Sequence, residues 1–106
     1  MAKPKWMNPP DNISAGAKKY WKAFLNELSK AERLDQRSRP AFLQMCVCMD
    51  LVDQAAAELS TAGPTVRSAS GSLKANPAMV MMVEGQKQVD QLKYLFWPAP
   101  KGPFDL

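Results

Sequence analysis

Histidine is absent from this chain of 106 residues, and cysteine occurs only twice, at Cys46 and Cys48. The first absence removes the usual general base and the commonest metal ligand. The two cysteines stand two apart in an apolar run, where a helix would point them to nearly opposite sides. They cannot bridge each other, and two thiols alone do not make a zinc site; a reduced, cytoplasmic setting fits. No apolar run reaches the roughly 18 residues of a membrane span, and "MAKPKWMNPP" lacks the apolar segment of a signal peptide. "GSLK" at 71–74 falls short of a phosphate-binding loop, because the Gly-x4-Gly-Lys-Ser/Thr pattern is missing. Asp50 and Asp53, three apart, read as exposed acids of a polar helix face. No catalytic constellation, metal set or cofactor site emerges, so the composition favours binding or assembly over catalysis.

What the chain has in quantity is proline at its ends and positive charge near its start. Of nine prolines, Pro4, Pro9, Pro10, Pro98, Pro100 and Pro103 lie in the tails; Pro40, Pro64 and Pro77 are internal. Residues 1–12 and 98–106 therefore read as extended tails, the first flexible and basic, around one folded domain over 13–97. Residues 1–39 hold nine Lys/Arg against four acids, or +5; residues 40–106 hold five against six, or −1; together they give the net +4. A basic first third on a near-neutral body fits either a polyanion partner or a solvated surface. A chain this short buries little more than about 60% of its unfolded surface, so self-association would help it.

Three helices are predicted. Ser14 is placed to cap the first, which runs to about Ala31 with Ala17, Tyr20, Trp21, Phe24, Leu25 and Leu28 at 3–4 spacing. Lys18, Lys19 and Lys22 fall off that stripe. The second begins between Gln36 and Arg39, since Pro40 is tolerated only near a helix start, and stops at Gly63-Pro64. Its stripe is Phe42, Met45, Cys46, Met49, Val52, Ala56 and Leu59. The third opens with Asn76-Pro77 as cap and first residue and runs to about Phe96. Along it Ala78, Met82, Gly85, Val89, Leu92 and Phe96 recur at alternating steps of 4 and 3. Such a seam suits packing within the chain or between subunits. Between the last two helices lies "GPTVRSASGSLKANP", longer than the roughly 2–8 residues that a bundle loop needs. Thr65, Val66, the Ser70-Gly71 turn signal and Leu73 suit a short hairpin or an ordered loop; a flexible solvent loop is the alternative. The fold expected is all-α: a hairpin-like bundle of three helices, with a long ordered loop and extended proline-rich termini.

The order of these features resembles the short, all-helical class of small subunits of tailed-bacteriophage terminases. "AGAKKYWKAFLNEL" leads to "RLD"; a helix with "LQMCVCMDLVDQAAAEL" follows; then come "GPTV", a loop glycine and "NPA" opening the last helix. The likeness covers about residues 13–100. Trp21, Leu34-Asp35, Cys46, Gly63 with Val66, and Gly71 with Asn76-Pro77 carry it. The end departs from the pattern: "FWPAPKGPFDL" puts Trp97 where a glycine would sit and Lys101 where an arginine is usual.

The resemblance implies a non-catalytic DNA-packaging factor that acts in the host cytoplasm. It would bind double-stranded viral DNA at the packaging start, assemble into a homo-oligomeric ring and recruit or regulate the large ATPase/nuclease subunit. No membrane is involved. Residues expected to meet DNA phosphates are Lys18, Lys19, Lys22, Arg33, Arg37 and Arg39, with Lys3 and Lys5 as a mobile arm and Arg67 and Lys74 on the long loop. Met82, Gly85, Val89, Leu92 and Phe96 are expected at the subunit interface, and Phe104 and Leu106 at the large subunit. Two other classes remain: a small helical DNA-binding regulator, which would need a tight helix-turn-helix, and a protein-only assembly adaptor.

Overall fold

The computed structural model describes residues 4–97. Lys3, Phe104, Leu106 and the whole of the expected C-terminal tail lie outside the described residues. Within them, α1 spans Ala15–Lys30, α2 Arg39–Ala62 and α3 Pro77–Phe96. Between α2 and α3, β1 (Thr65–Arg67) and β2 (Leu73–Ala75) form an antiparallel pair. The chain is mostly helical, with the three helices expected, and the long connection forms a small two-stranded sheet, the short hairpin that its turn signal allows. Helix cannot persist there because Gly63, at φ 81, ends α2, and Pro64 lacks the amide that a continuing helix needs.

Each helix start has a local cause. The Ser14 hydroxyl accepts from the Ala17 amide and Asn76 accepts from the Ala78 amide, so both expected caps are in place. Pro40 lies in the first turn of α2, where its missing N–H costs nothing. α1 ends in a Schellman pattern, with the Arg33 amide donating to Leu28 and the Glu32 amide to Ser29. That turn carries the chain back toward the core, where Leu34 is buried.

The core sits at one end of the molecule. Trp21, Leu25 and Leu28 of α1 meet Phe42, Met45 and Cys46 of α2 and Phe96 of α3. Trp21 and Phe42 lie 4.7 Å apart between ring centroids, Phe42 and Phe96 5.8 Å, in tilted and edge-on geometries that aromatic pairs prefer. Burying each such side chain contributes about 1.5–3 kcal/mol, so this end is the anchor of the fold. Beyond it, α2 and α3 continue alone as an antiparallel pair and carry the β-hairpin at their far end. The Cα radius of gyration is 17.5 Å, against about 13 Å for a compact domain of 100 residues.

The segment read as a flexible tail is partly built into the core. Lys5–Met7 form a single 3-10 turn, and Trp6 and Met7 pack against the aromatic cluster. The buried Trp21 ring needs an acceptor for its N–H and finds it in the Met7 carbonyl, at 2.8 Å.

α2 departs from the single stripe read in its sequence. Ala55 is buried and Ala56 exposed, and Cys46 and Cys48 are both buried. The reason is that α2 has neighbours on two sides. Cys46 joins the cluster with α1, while Cys48 lies on the other side with its Sγ 3.4 Å from Gln88 Oε1 of α3. Burial pushes the Cys46 thiol up to about 12 and raises that of Cys48, so neither is a ready thiolate.

Candidate nucleic-acid interface

The cations of the first third do not form one surface. At about 100° per residue, Lys18, Lys22, Lys19 and Lys30 fall within a band of roughly 120° on α1 that starts beside buried Leu25 at Lys18 and reaches the side opposite the buried stripe at Lys19 and Lys30. The one acid of α1, Glu27, falls outside that band. Lys19 and Lys30, eleven residues apart, nearly eclipse each other and are separated by about 16 Å along the axis. Among the described residues, none of these lysines is paired with a carboxylate; the one ion pair is Glu84–Lys87 on α3. Lys30 belongs to this face although sequence reasoning left it out of the binding set. The helical wheel alone could have found it.

Two arginines of the expected DNA set make structural contacts. Arg33 Nη1 donates to the Phe96 carbonyl at 3.1 Å and so closes the C-terminal end of α3. Arg39 Nε donates to the Trp6 carbonyl at 2.9 Å, and its guanidinium lies 5.4 Å from the centroid of the Trp21 ring. Both tie one segment to another, as a planar fork with several donors can. Lys5 and Arg37 remain exposed. Asp35, beside Arg37, is held below the usual carboxylate range by hydrogen bonds from Ser38. Arg67 and Lys74 stand on β1 and β2, at the far end of the molecule from Lys5 and Arg37.

The α3 seam packs largely within the chain. Val89 and Phe96 are buried within the chain, Leu92 packs against the core, Met82 is half-buried, and Gly85 lies close to Val52 of α2. A Cβ at position 85 would come within 2.9 Å of Val52 Cγ2, which accounts for the glycine. The seam therefore joins α3 to its own α2. The first turns of the helix carry a second apolar set, in which Val80 is 63% exposed, Met81 50%, Val83 48% and Met79 40%; farther along, Lys87 separates it from exposed Tyr94. The first two turns, "PAMVMMV", are apolar all round, a composition that in a stable helix is covered on every side.

Where α1 meets the middle of α2, Ser14 donates to Asp50 and Tyr20 to Asp53. A side chain on Gly16 would collide with the Asp50 carboxylate. The bond to Asp53, then partial burial, push Tyr20 up to about 12. These acids hold α1 in place and do not form a reactive pair. Among the described residues, no three potential ligands gather to hold a metal ion, and no helix is long and apolar enough to cross a membrane. The α1–α2 connection, residues 31–38, is longer than the roughly 3–4-residue turn of a DNA-reading helix-turn-helix.

No curated protein and no solved structure matches the chain significantly. A family model does: that of the phage terminase small subunit, over residues 17–98, from the lysine-bearing turn of α1 to just past α3. The chain belongs to the phage terminase small-subunit family.

Proposed function

We propose that this chain is a non-catalytic packaging factor. It holds double-stranded viral DNA at the packaging start and delivers it to the large ATPase/nuclease subunit in the host cytoplasm. The observation that carries the reading is the acid-free face of Lys18, Lys19, Lys22 and Lys30 on α1, in a chain whose family serves genome packaging. Lysines on a helix face meet phosphates without reading bases, so this face supplies affinity and register. Lys5 and Arg37 extend the same role. Sequence choice at the packaging start needs contacts beyond these.

Assembly into a ring is part of the proposal. The start of α3 supports it, because Met79, Val80, Met81 and Val83 leave an exposed apolar patch, bounded by the Glu84–Lys87 pair, that a second copy would cover. The seam Met82, Gly85, Val89, Leu92 and Phe96 contributes indirectly, by fixing α3 on α2. Phe104 and Leu106 remain the proposed contacts for the large subunit.

Native mass spectrometry of the full chain, with and without duplex DNA, tests both parts. The expected result is one closed oligomer that gains duplex mass at low salt. A monomer at tens of micromolar that takes up no duplex overturns the reading.

A further inference from the structure

The β-hairpin holds Arg67 and Lys74, the two loop cations expected to meet phosphates, far from the α1 lysines. Its geometry is specific. Gly71, at φ 86, closes the turn, with its amide donating to Ser68 at 2.9 Å and the Ser68 amide to Ser72 at 2.8 Å. The left-handed position favours glycine. Around that turn three hydroxyls form a triangle: Ser68 to Ser70 at 2.9 Å, Ser68 to Ser72 at 2.8 Å and Ser70 to Ser72 at 3.2 Å. Arg67 reaches over the tip, its Nη1 donating to the Gly71 carbonyl at 3.0 Å. The base is rigid: buried Asn76 donates from Nδ2 to the Gly63 carbonyl at 3.0 Å, and its amide donates to Pro64 at 2.8 Å.

The chemistry of this tip is one-sided. From residue 59 to residue 83 the chain contains Arg67 and Lys74 and no acid. The register pairs Arg67 with Leu73 and Val66 with Lys74. Directly paired residues share a face and successive residues alternate, so Arg67 and Lys74 project from opposite faces of the hairpin. A thin ribbon with one cation on each face and three small donors at its edge suits a groove walled by phosphates on both sides. The major groove of duplex DNA, about 12 Å wide, admits a two-stranded ribbon. Each serine hydroxyl has one rotatable donor and two lone pairs, so all three can turn from one another to phosphate oxygens. Arg67 uses one of its five donors on Gly71 and keeps the others free.

We propose that the β1–β2 tip is a second, separate grip on duplex DNA, in which Arg67 and Lys74 hold phosphates on the two sides of a groove and Ser68, Ser70 and Ser72 donate to neighbouring phosphate oxygens along its walls. The proposal rests on the packaging reading. It adds a contact about 20 Å along α2 from where α1 crosses at Asp50, counting 13 residues to Gly63 at 1.5 Å each. One subunit then touches the duplex at two places.

Salt dependence separates the contributions. Fluorescence anisotropy of a labelled duplex against the full-length oligomer, over a salt series, measures both affinity and slope. Each lost phosphate contact lowers the log–log slope by about 0.9. Arg67→Gln with Lys74→Gln is expected to lower it by about 2, and Arg67→Lys with Lys74→Arg to restore it. Ser68→Ala with Ser70→Ala and Ser72→Ala is expected to weaken binding about tenfold with the slope unchanged, because hydroxyls displace no counterions. The α1 triple change Lys18→Glu, Lys19→Glu and Lys22→Glu tests the packaging reading independently. If that triple weakens binding while the hairpin variants match the parent in affinity and slope, the tip proposal is overturned and the packaging reading stands. If the hairpin variants reduce oligomer mass but leave the slope per subunit intact, the tip is an interface between copies and the proposal is likewise overturned. Absence of any salt-dependent duplex binding by the parent chain overturns both.

Discussion

The guanidinium of Arg39 stands 5.4 Å from the centroid of the buried Trp21 ring while its Nε donates to the Trp6 carbonyl at 2.9 Å. A residue from the basic third thereby fastens the N-terminal turn to the core. Arg39→Ala is expected to destabilise the chain by about 1–3 kcal/mol, from a stacked cation and a charge-assisted hydrogen bond lost together. Arg39→Lys should recover little of it, since an ammonium lacks the planar fork. Thermal melts of the two variants check this; full stability of Arg39→Ala would return Arg39 to the set of free surface cations.

Gly85 and Val52 form a tight crossing between α3 and α2. Gly85→Leu overpacks it and should cost about 1–3 kcal/mol in urea unfolding. Pairing it with Val52→Ala should return part of that loss, with a coupling of about 0.5–3 kcal/mol. Strict additivity of the two changes would show that the contact is not what requires glycine.

The exposed apolar start of α3 gives a different outcome. Val80→Glu with Val83→Glu leaves the internal seam untouched, so far-UV helicity should persist while light scattering reports a smaller particle. An unchanged mass would move the subunit interface to another surface.

Asn76 serves the helix and the hairpin at once, accepting from the Ala78 amide at 3.0 Å and donating to the Gly63 carbonyl at 3.0 Å. Asn76→Ala should cost about 1–2 kcal/mol as a lost cap, plus a further part for the orphaned Gly63 carbonyl. Asn76→Asp keeps the cap but not the amide donor, and its measured stability should fall between the two.

Alkaline pH should loosen the α1–α2 contact. Tyr20 is pushed from 10.0 to about 12, chiefly by its hydrogen bond to Asp53, and Cys46 from 9.0 to about 12 by burial. A folded-state value raised above the unfolded one means that the native state keeps its proton longer. The stability involved is complete below about pH 9 and is lost as pH rises toward about 12. The chain has two tyrosines, so the Tyr20 step is read as the difference in phenolate absorbance between the parent chain and Tyr20→Phe; that difference should titrate late, and a difference that titrates at the ordinary position would refute the Tyr20–Asp53 bond.

Local rules in the sequence settled most of the elements. Ser14, Pro40, Gly63 and Asn76-Pro77 mark helix ends because capping and proline sterics act over a few residues. The resemblance, carried by the order of those marks, led to the family that residues 17–98 match. What the sequence could not decide was which of several chemically equal groups would be used. Arg33 and Arg39 look like Lys18 and Lys22 in a charge count, but only the folded chain brings the Phe96 and Trp6 carbonyls to them. Periodicity found one apolar face of α2, and only the packing of α1 and α3 on two sides explains why Cys46 and Cys48 are both buried. The same holds for α3. Its 78–96 seam was legible from spacing, but whether another subunit or its own α2 covers that seam depends on the turn at residues 63–76. The Gly63 stop, the hairpin and the Asn76 clamp fold α3 back onto α2, so contacts distant in sequence, which no local pattern encodes, determine which apolar face is left for a partner.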